Sequence, residues 1–190
     1  MLRPGEKETE MLINKNPKAD GSKSDKILLD PVQIWRRREP GKGVPQEDVQ
    51  RMANNFYAIL YKELSQDYEM VEMPGQGTLR IQLALTDVQK SSAPLDIVTT
   101  QVPSGIVDST GKDLVTGKPA FVGEAGAEAS VIDAHTGQLL AAAIDRRVGG
   151  KTVKTSVSSW DDVNKIFEFW SKLATFRLCT YRGGTNCIKP

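Results

Sequence analysis

The feature that most constrains the fold is a pair of alternating segments, residues 121–133 and 138–147, joined by a short turn. The connecting stretch from Asp133 to Gly137 begins with a residue that opens turns and ends with one that tolerates a positive φ. If Asp133 pairs with Gln138, one face of the hairpin consists mainly of small side chains, namely Ala127, Ala129, Val131, Leu140, Ala142 and Ile144. A helix can approach such a face closely. The pattern therefore predicts an antiparallel hairpin covered by a helix.

Two segments have the apolar spacing of such a helix. The first follows Pro45, which suits the first turn of a helix, and carries an apolar stripe of Val49, Met52, Phe56, Ile59, Leu60 and Leu64. The second is predicted to start at Ser158 or Ser159, with Asp162 completing a pattern similar to a capping box. Its buried stripe is predicted to be Trp160, Val163, Ile166, Phe167, Trp170, Leu173 and Leu178. At helical spacing we interpret these aromatic residues as core rather than as a ligand site.

The first half of the chain predicts further strands. Residues 26–35 form a strand interrupted by Pro31, which places it at an edge or changes its direction. Residues 68–73 form a short strand, and residues 78–88 alternate as a half-buried strand does. The resulting order is β-α-β-β-loop-β-β-α. It predicts an α+β fold with a mostly antiparallel sheet and two long helices packed on one face.

A length of 190 residues fits one domain with tails. We expect an extended amino-terminal arm over residues 1–25, a single α+β domain over 26–178 and a carboxy-terminal tail over 179–190. The stretch from Glu6 to Ser24 is polar and lacks periodicity, which favours a surface-tracking arm or a disordered leader. Residues 90–118 form a long connection rich in Pro, Gly and Ser, with one strand predicted at Ile97–Val102, and loops of this length are often functional.

The charge balance excludes some classes of partner. The chain has 25 Lys and Arg residues against 24 Asp and Glu residues, a formal net charge of +1, so we expect no nucleic-acid partner. No apolar run approaches the roughly 18–20 residues that cross a bilayer. The basic cluster of Arg36, Arg37, Arg38 and Lys42 fits either a solvated loop or a patch for phosphates or anionic lipid headgroups.

Few residues have the chemistry of a catalyst. The single histidine, His135, falls at the predicted hairpin tip, where we expect it to be solvated. Glu124 and Glu128 lie on one predicted strand face near Asp145 and Arg147. They could act as acid and base or bind Ca²⁺, but cross-strand charge pairs explain them more simply. The sequence therefore predicts no catalytic residue, no cofactor and no metal site.

The two cysteines, Cys179 and Cys187, enclose a short segment rich in turn-forming residues. Without nearby histidines they make a poor zinc site, since a closed site needs four ligands. A disulfide between them would suit an oxidising compartment such as the periplasm. The alternative is two unrelated thiols in a cytosolic protein.

A long signature in the second half resembles a known family. It comprises Leu114–Ala125, Glu128, Asp133–Leu140 and Asp145–Gly150, followed by Trp160, Phe167 and Trp170, with Leu2–Gly5 and Leu29–Val32 upstream. These residues resemble a domain-of-unknown-function family of proteobacterial predicted outer-membrane lipoproteins, over Leu2 to about Leu178. The resemblance implies an export signal and a lipidated cysteine upstream of these residues, so we expect the full-length protein to be longer. It implies no catalytic residues, and the cysteine tail lies outside it.

These observations lead to one functional expectation and two rivals. We expect an envelope lipoprotein domain on the periplasmic side, anchored to the outer membrane by a lipid, that acts by binding another envelope component. One rival is a hydrolase or carbohydrate-active enzyme that uses Glu124, Glu128 or Asp145. The other is a cytoplasmic adaptor. Neither the partner nor the oligomeric state follows from the sequence.

Overall fold

A computed structural model describes residues 3–4, 11–35, 44–89, 124–148 and 160–190. Within these residues, one sheet packs against two helices, as predicted for an α+β fold. The helices are α1 (Gln46–Leu64) and α2 (Asp161–Tyr181). The strands are β1 (Arg3–Pro4), β2 (Leu12–Lys15), β3 (Lys26–Leu29), β4 (Gln33–Ile34), β5 (Glu69–Met70), β6 (Thr78–Gln89), β7 (Glu124–Asp133) and β8 (Leu139–Val148). Neither of the two helices in the described ranges is long and apolar enough to cross a membrane. The predicted loop 90–118 lies outside the described residues.

The sheet is mixed in strand direction. Its order is β1-β2-β8-β7-β6-β3-β5, and β4 pairs with β6 beyond the end of β3. The long strands β6, β7 and β8 are antiparallel, and so are β2 and β1 at their edge. Strand β3 instead runs parallel to both β5 and β6. Helix α1 lies between β3 and β6 in the chain and provides the crossover that parallel strands require.

Pro31 divides the first predicted strand into β3 and β4. Proline has no N–H to contribute to a ladder, but its neighbours keep the pairing with β6. The backbone N–H of Asp30 donates to the carbonyl of Ile81 (3.0 Å), and that of Trp35 donates to the carbonyl of Leu85 (2.8 Å). The interruption is present as predicted, although β3 lies between two strands and not at an edge.

The amino-terminal segment contributes a strand that the polar composition did not predict. Strand β2 pairs antiparallel with β8, from Leu12 opposite Ile144 to Lys15 opposite Ala141. Met11, immediately before it, is buried. The hydroxyl of Tyr181 accepts a hydrogen bond from the backbone N–H of Gly21 and donates one to the carbonyl of Ala19. Residues 11–21 are therefore held by both the sheet and the end of α2.

The core lies between the two helices and one face of the sheet. Phe56 of α1 and Phe167 of α2 stack with ring centroids 4.6 Å apart, and Trp170 packs against both. The predicted stripes are buried except that Met52, Ile59 and Trp160 are half-buried. The predicted start of α2 at Ser158 or Ser159 is wrong, because the helix begins at Asp161 with Trp160 as its N-cap and no side-chain capping bond. The two serines lie outside the described residues.

The hairpin of β7 and β8 forms at the predicted turn, but its register differs from the expected one. Asp133 pairs with Gln138 as predicted, yet a bulge at Leu140 shifts the pairing by one residue. Ala129 therefore lies opposite Ala143, and Ala127 lies opposite Asp145. Alternation then places Ala141, Ala143 and Asp145 toward the helices, whereas Ala142 and Ile144 share the opposite face. The prediction that Ala142 and Ile144 lie under a helix is wrong for this reason.

The carboxy-terminal tail is closed by the predicted disulfide between Cys179 and Cys187. Gly183 has a φ of +75°, a conformation that suits glycine, and it turns the chain after α2. At Gly184 an added Cβ would lie 2.7 Å from the Sγ of Cys179. The two glycines thus allow the chain to fold back against the helix.

We expect a pH-dependent contribution of Asp133 to stability. Hydrogen bonds from the backbone of Thr136 first, and also of His135, hold the pKa of Asp133 below its usual value. The stabilisation is therefore fully present above the unfolded pKa of about 3.9 and is lost as the pH falls through the lower folded pKa. Asp133→Asn should lower the free energy of unfolding at pH 7 by at most about 1 kcal/mol, because solvent screens this carboxylate.

Urea denaturation between pH 2 and 7 measures this effect as the difference between the two proteins. Glu72→Gln, which changes an exposed carboxylate, is the control. A difference for Asp133→Asn that grew as the pH fell below 4 would contradict the assignment.

Candidate functional site

A cavity of 180 Å³ lies between the helix-facing side of the sheet and α2. Its sheet side includes Ala127 and Ala129 of β7 with Ala141 and Ala143 of β8, and its helix side includes Trp170. Phe56 of α1 also lines it, so the cavity reaches the aromatic cluster between the helices. It is therefore a gap within the layer where the core would otherwise be continuous.

The cavity follows from the residues that the hairpin presents to the helices. Ala129 and Ala143 face each other across β7 and β8, and neither side chain extends beyond a methyl group. The neighbouring strand β6 presents Leu79, Ile81 and Leu83 to the same layer, which fill more space. Small side chains were expected to let a helix approach closely. The aromatic rings of the helices instead leave the space above the alanines unfilled.

The volume of the cavity limits what it can hold. An engineered apolar cavity of roughly 150 Å³ stays dry and binds benzene, whereas pockets for drug-sized ligands measure about 300–1,000 Å³. At 180 Å³ this cavity suits an aromatic ring or a short length of alkyl chain. Its lining is mainly apolar, so a ligand would bind mainly through apolar burial.

Asp145 is the carboxylate at this cavity, and its hydrogen-bonding capacity is largely used. Only 5% of its surface is exposed. Its Oδ2 accepts hydrogen bonds from Trp170 Nε1 (2.8 Å) and Arg147 Nε (2.7 Å), and its Oδ1 accepts one from the backbone N–H of Arg146 (3.0 Å). The Arg147 guanidinium also lies 3.8 Å from the centre of the Phe169 ring. Asp145 thus anchors α2 to β8, which is a structural role.

The carboxylates proposed for an enzyme are not brought together. Glu128 lies opposite Ile144 on the sheet face away from the helices, whereas Asp145 lies on the face toward them. The side chain of Glu124 lies outside the described residues. Arg147 lies opposite Ala125 on the helix-facing side of the sheet, so the register does not place it beside Glu128. His135 is exposed at the hairpin tip, as expected.

Positive side chains line the cavity without a carboxylate partner among the described residues. Arg177 of α2 is half-buried, and its Nη2 lies 3.6 Å from the Sδ of Met11. Its Nε is buried and has no hydrogen-bond partner in the described part of the chain. Lys15 of β2 also lines the cavity. No local sequence pattern marks either residue, since their proximity depends on the pairing of β2 with β8.

The remaining predicted site residues add no chemistry to the cavity. The basic cluster of Arg36, Arg37, Arg38 and Lys42 lies outside the described residues, so its ligand-binding role stays a prediction. In the described ranges, His, Cys, Asp and Glu form no group of three that could hold a metal ion. The alanines of β7 and β8 were the one sequence signal that could have indicated the cavity.

Comparison with known proteins identifies a family but no curated relative. A family model described as a protein of unknown function, DUF3313, matches residues 1–174. No curated protein matches the sequence significantly.

Solved structures give distant similarities. A PelC dodecamer from Paraburkholderia phytofirmans has 8% identity and a TM-score of 0.46, covering 93% of this chain and 99% of that chain. Protein XCC0632 from Xanthomonas campestris, of family DUF330, has 9% identity and a TM-score of 0.46, covering 89% and 92% respectively. At these scores no function and no residue role carries over to this chain.

We expect the hydrogen bond between Trp170 and Asp145 to stabilise the fold measurably. Trp170→Phe keeps an aromatic ring but removes the Nε1 donor from a buried carboxylate, which should lower the free energy of unfolding by about 1.5–3 kcal/mol. Trp35→Phe removes the donor to Gln33 at a side chain that is 56% exposed and should cost less than about 0.5 kcal/mol. Urea denaturation at pH 7 checks both values. Equal effects of the two substitutions would show that Asp145 does not anchor α2.

Proposed function

The chain belongs to the DUF3313 family of proteins of unknown function. We propose that it is a non-catalytic binding domain of the bacterial envelope. In this proposal the cavity beneath β7 and β8 holds an apolar group of the ligand. The observation that carries the proposal is the cavity itself, 180 Å³ of mainly apolar space between the sheet and α2. An unfilled cavity of this size reduces stability, because its lining loses packing contacts. A ligand that fills it would regain those contacts.

The polar groups support binding over catalysis. Asp145 is already bonded to three donors, and Glu128 lies on the other face of the sheet. A hydrolase of the expected kind needs two carboxylates placed on either side of one bond. Glu128 and Asp145 do not meet that requirement.

Two observations support a place on the periplasmic side of the envelope. The disulfide between Cys179 and Cys187 suits an oxidising compartment. The signature residues resemble a family of predicted outer-membrane lipoproteins. We propose that the full-length protein is lipid-anchored in the outer membrane and binds another envelope component there.

Binding in the cavity is tested with decanol, an uncharged single-chain probe, below the concentration at which it aggregates. We expect saturable binding, seen as a change in tryptophan fluorescence because Trp170 lines the cavity. Ala129→Leu should weaken it at least about tenfold, since each methylene group kept out of an apolar site costs about 0.8 kcal/mol. The control is Ala58→Leu, which adds the same side chain at an exposed position of α1.

The wild-type and control proteins should bind decanol alike. Absence of saturable binding to the wild type would contradict the proposed function. Decanol binding that is unchanged in Ala129→Leu would also contradict the proposed function, because the probe would then bind outside the cavity.

The proposed location is tested with the full-length protein in its native cell. We expect the protein in the outer-membrane fraction. Added protease should digest it once the outer membrane is permeabilised. Thiol titration of the protein unfolded under non-reducing conditions should find no free thiols. A protein that stays protected until the inner membrane is broken, with two titratable thiols, would favour the cytoplasmic adaptor instead.

A further inference from the structure

Arg177 has an unusual environment for a charged side chain. It is half-buried on α2 and lines the apolar cavity. Among the described residues, its Nη2 has the weak acceptor Sδ of Met11 as its hydrogen-bond partner. Its Nε is buried without a partner in the described part of the chain. A guanidinium carries five N–H donors and no acceptor, and leaving buried donors unpaired is unfavourable. In the described structure the Nε of Arg177 therefore lacks a hydrogen-bond acceptor, which a ligand could supply.

The surrounding charges favour an acceptor that is negatively charged. Lys15 adds a second positive side chain to the lining of the cavity. The carboxylate of Asp145 already accepts hydrogen bonds from Arg147, Trp170 and the backbone of Arg146, and its charge is balanced by Arg147. A cationic ligand would meet Arg177 without gaining a free carboxylate. An anionic ligand would gain a guanidinium that pairs with no carboxylate among the described residues.

The apolar and charged parts of the site adjoin each other. Met11, which contacts Arg177, lines the same cavity as Ala127 and Ala129. A molecule with its apolar chain above the alanines could therefore place a charged end against Arg177. Guanidinium groups bind carboxylates and phosphates through paired hydrogen bonds, which makes both head groups suitable.

We propose that the ligand of the cavity is an anionic single-chain amphiphile, whose chain occupies the cavity and whose carboxylate or phosphate head binds Arg177. This inference rests on the proposed function for the apolar chain, and adds to it the charge of the head. It assigns Arg177 the role of the residue that selects anionic ligands.

The experiment compares three probes of equal chain length: decanol, decanoate and decyl phosphate, each below its aggregation concentration at pH 7.5. We expect at least one of the two anions to bind the wild type at least about tenfold more tightly than decanol, because a hydrogen bond to a charged group is worth about that much. The ranking of decanoate and decyl phosphate shows whether the site prefers a fatty-acid or a phosphate head.

Three variants assign the preference to Arg177. Arg177→Met keeps an apolar side chain of similar reach and should abolish the preference for the two anions over decanol. Arg177→Lys keeps the charge and should retain part of the preference. Lys172→Met removes a positive charge from an exposed position of the same helix that does not line the cavity, and should have no effect.

Thermal unfolding separates this role from a structural one. Because Arg177 has no carboxylate partner among the described residues, Arg177→Met should unfold at the same temperature as the wild type or higher without ligand. The added anion should raise the unfolding temperature of the wild type and not of the variant.

The outcomes distinguish this inference from the proposed function. If all three probes bind the wild type equally, the anionic head is wrong and the apolar binding function stands. If Arg177→Met keeps the full preference for anions, Arg177 does not bind the head. If no probe binds, the proposed function fails with the inference.

Discussion

The stacked rings of Phe56 and Phe167 join α1 to α2, and much of the described structure depends on that contact. The two helices are separated by about a hundred residues of chain, in which strands β5 to β8 lie. A hydrogen bond from Asn55 to Asn164 (2.8 Å) adds a polar contact beside the rings. Because both helices pack on one sheet face, this cluster determines where the layer above β7 and β8 is filled and where it is left open.

The two charged side chains beside the cavity, Asp145 and Arg177, differ in how far hydrogen bonds within the chain offset the cost of burying them. Asp145 is buried, but its bonds to Trp170 and Arg147 offset the loss of water and tie α2 to the sheet. Arg177 is half-buried beside the cavity, and among the described residues it has one weak contact and no partner for its Nε. The first arrangement is typical of structure, since both oxygens of the buried Asp145 carboxylate accept hydrogen bonds from within the chain. The second is typical of a binding site, where a ligand supplies the missing hydrogen-bond acceptor.

The spacing of hydrophobic residues predicted most elements of the fold but did not predict the register of the strands. The α1 stripe, the α2 stripe and the turn at Asp133 all depend on residues close together in the chain, so local pattern was sufficient. The bulge at Leu140 moved Ala142 and Ile144 to the opposite face, and no local signal marked it. The same shift separated Glu128 from Asp145, so these two carboxylates do not face a common site.

By itself the sequence determined the α+β class, the hairpin, the two amphipathic helices and the proximity of Cys179 and Cys187. Each of these follows from side-chain periodicity or from short loops, whose geometry is decided over a few residues. Only the tertiary structure decided the parallel pairing of β3, the docking of β2 on β8 and the cavity lined by Arg177. These depend on contacts between distant segments, where burial of apolar surface is shared among several elements and no single segment carries the information.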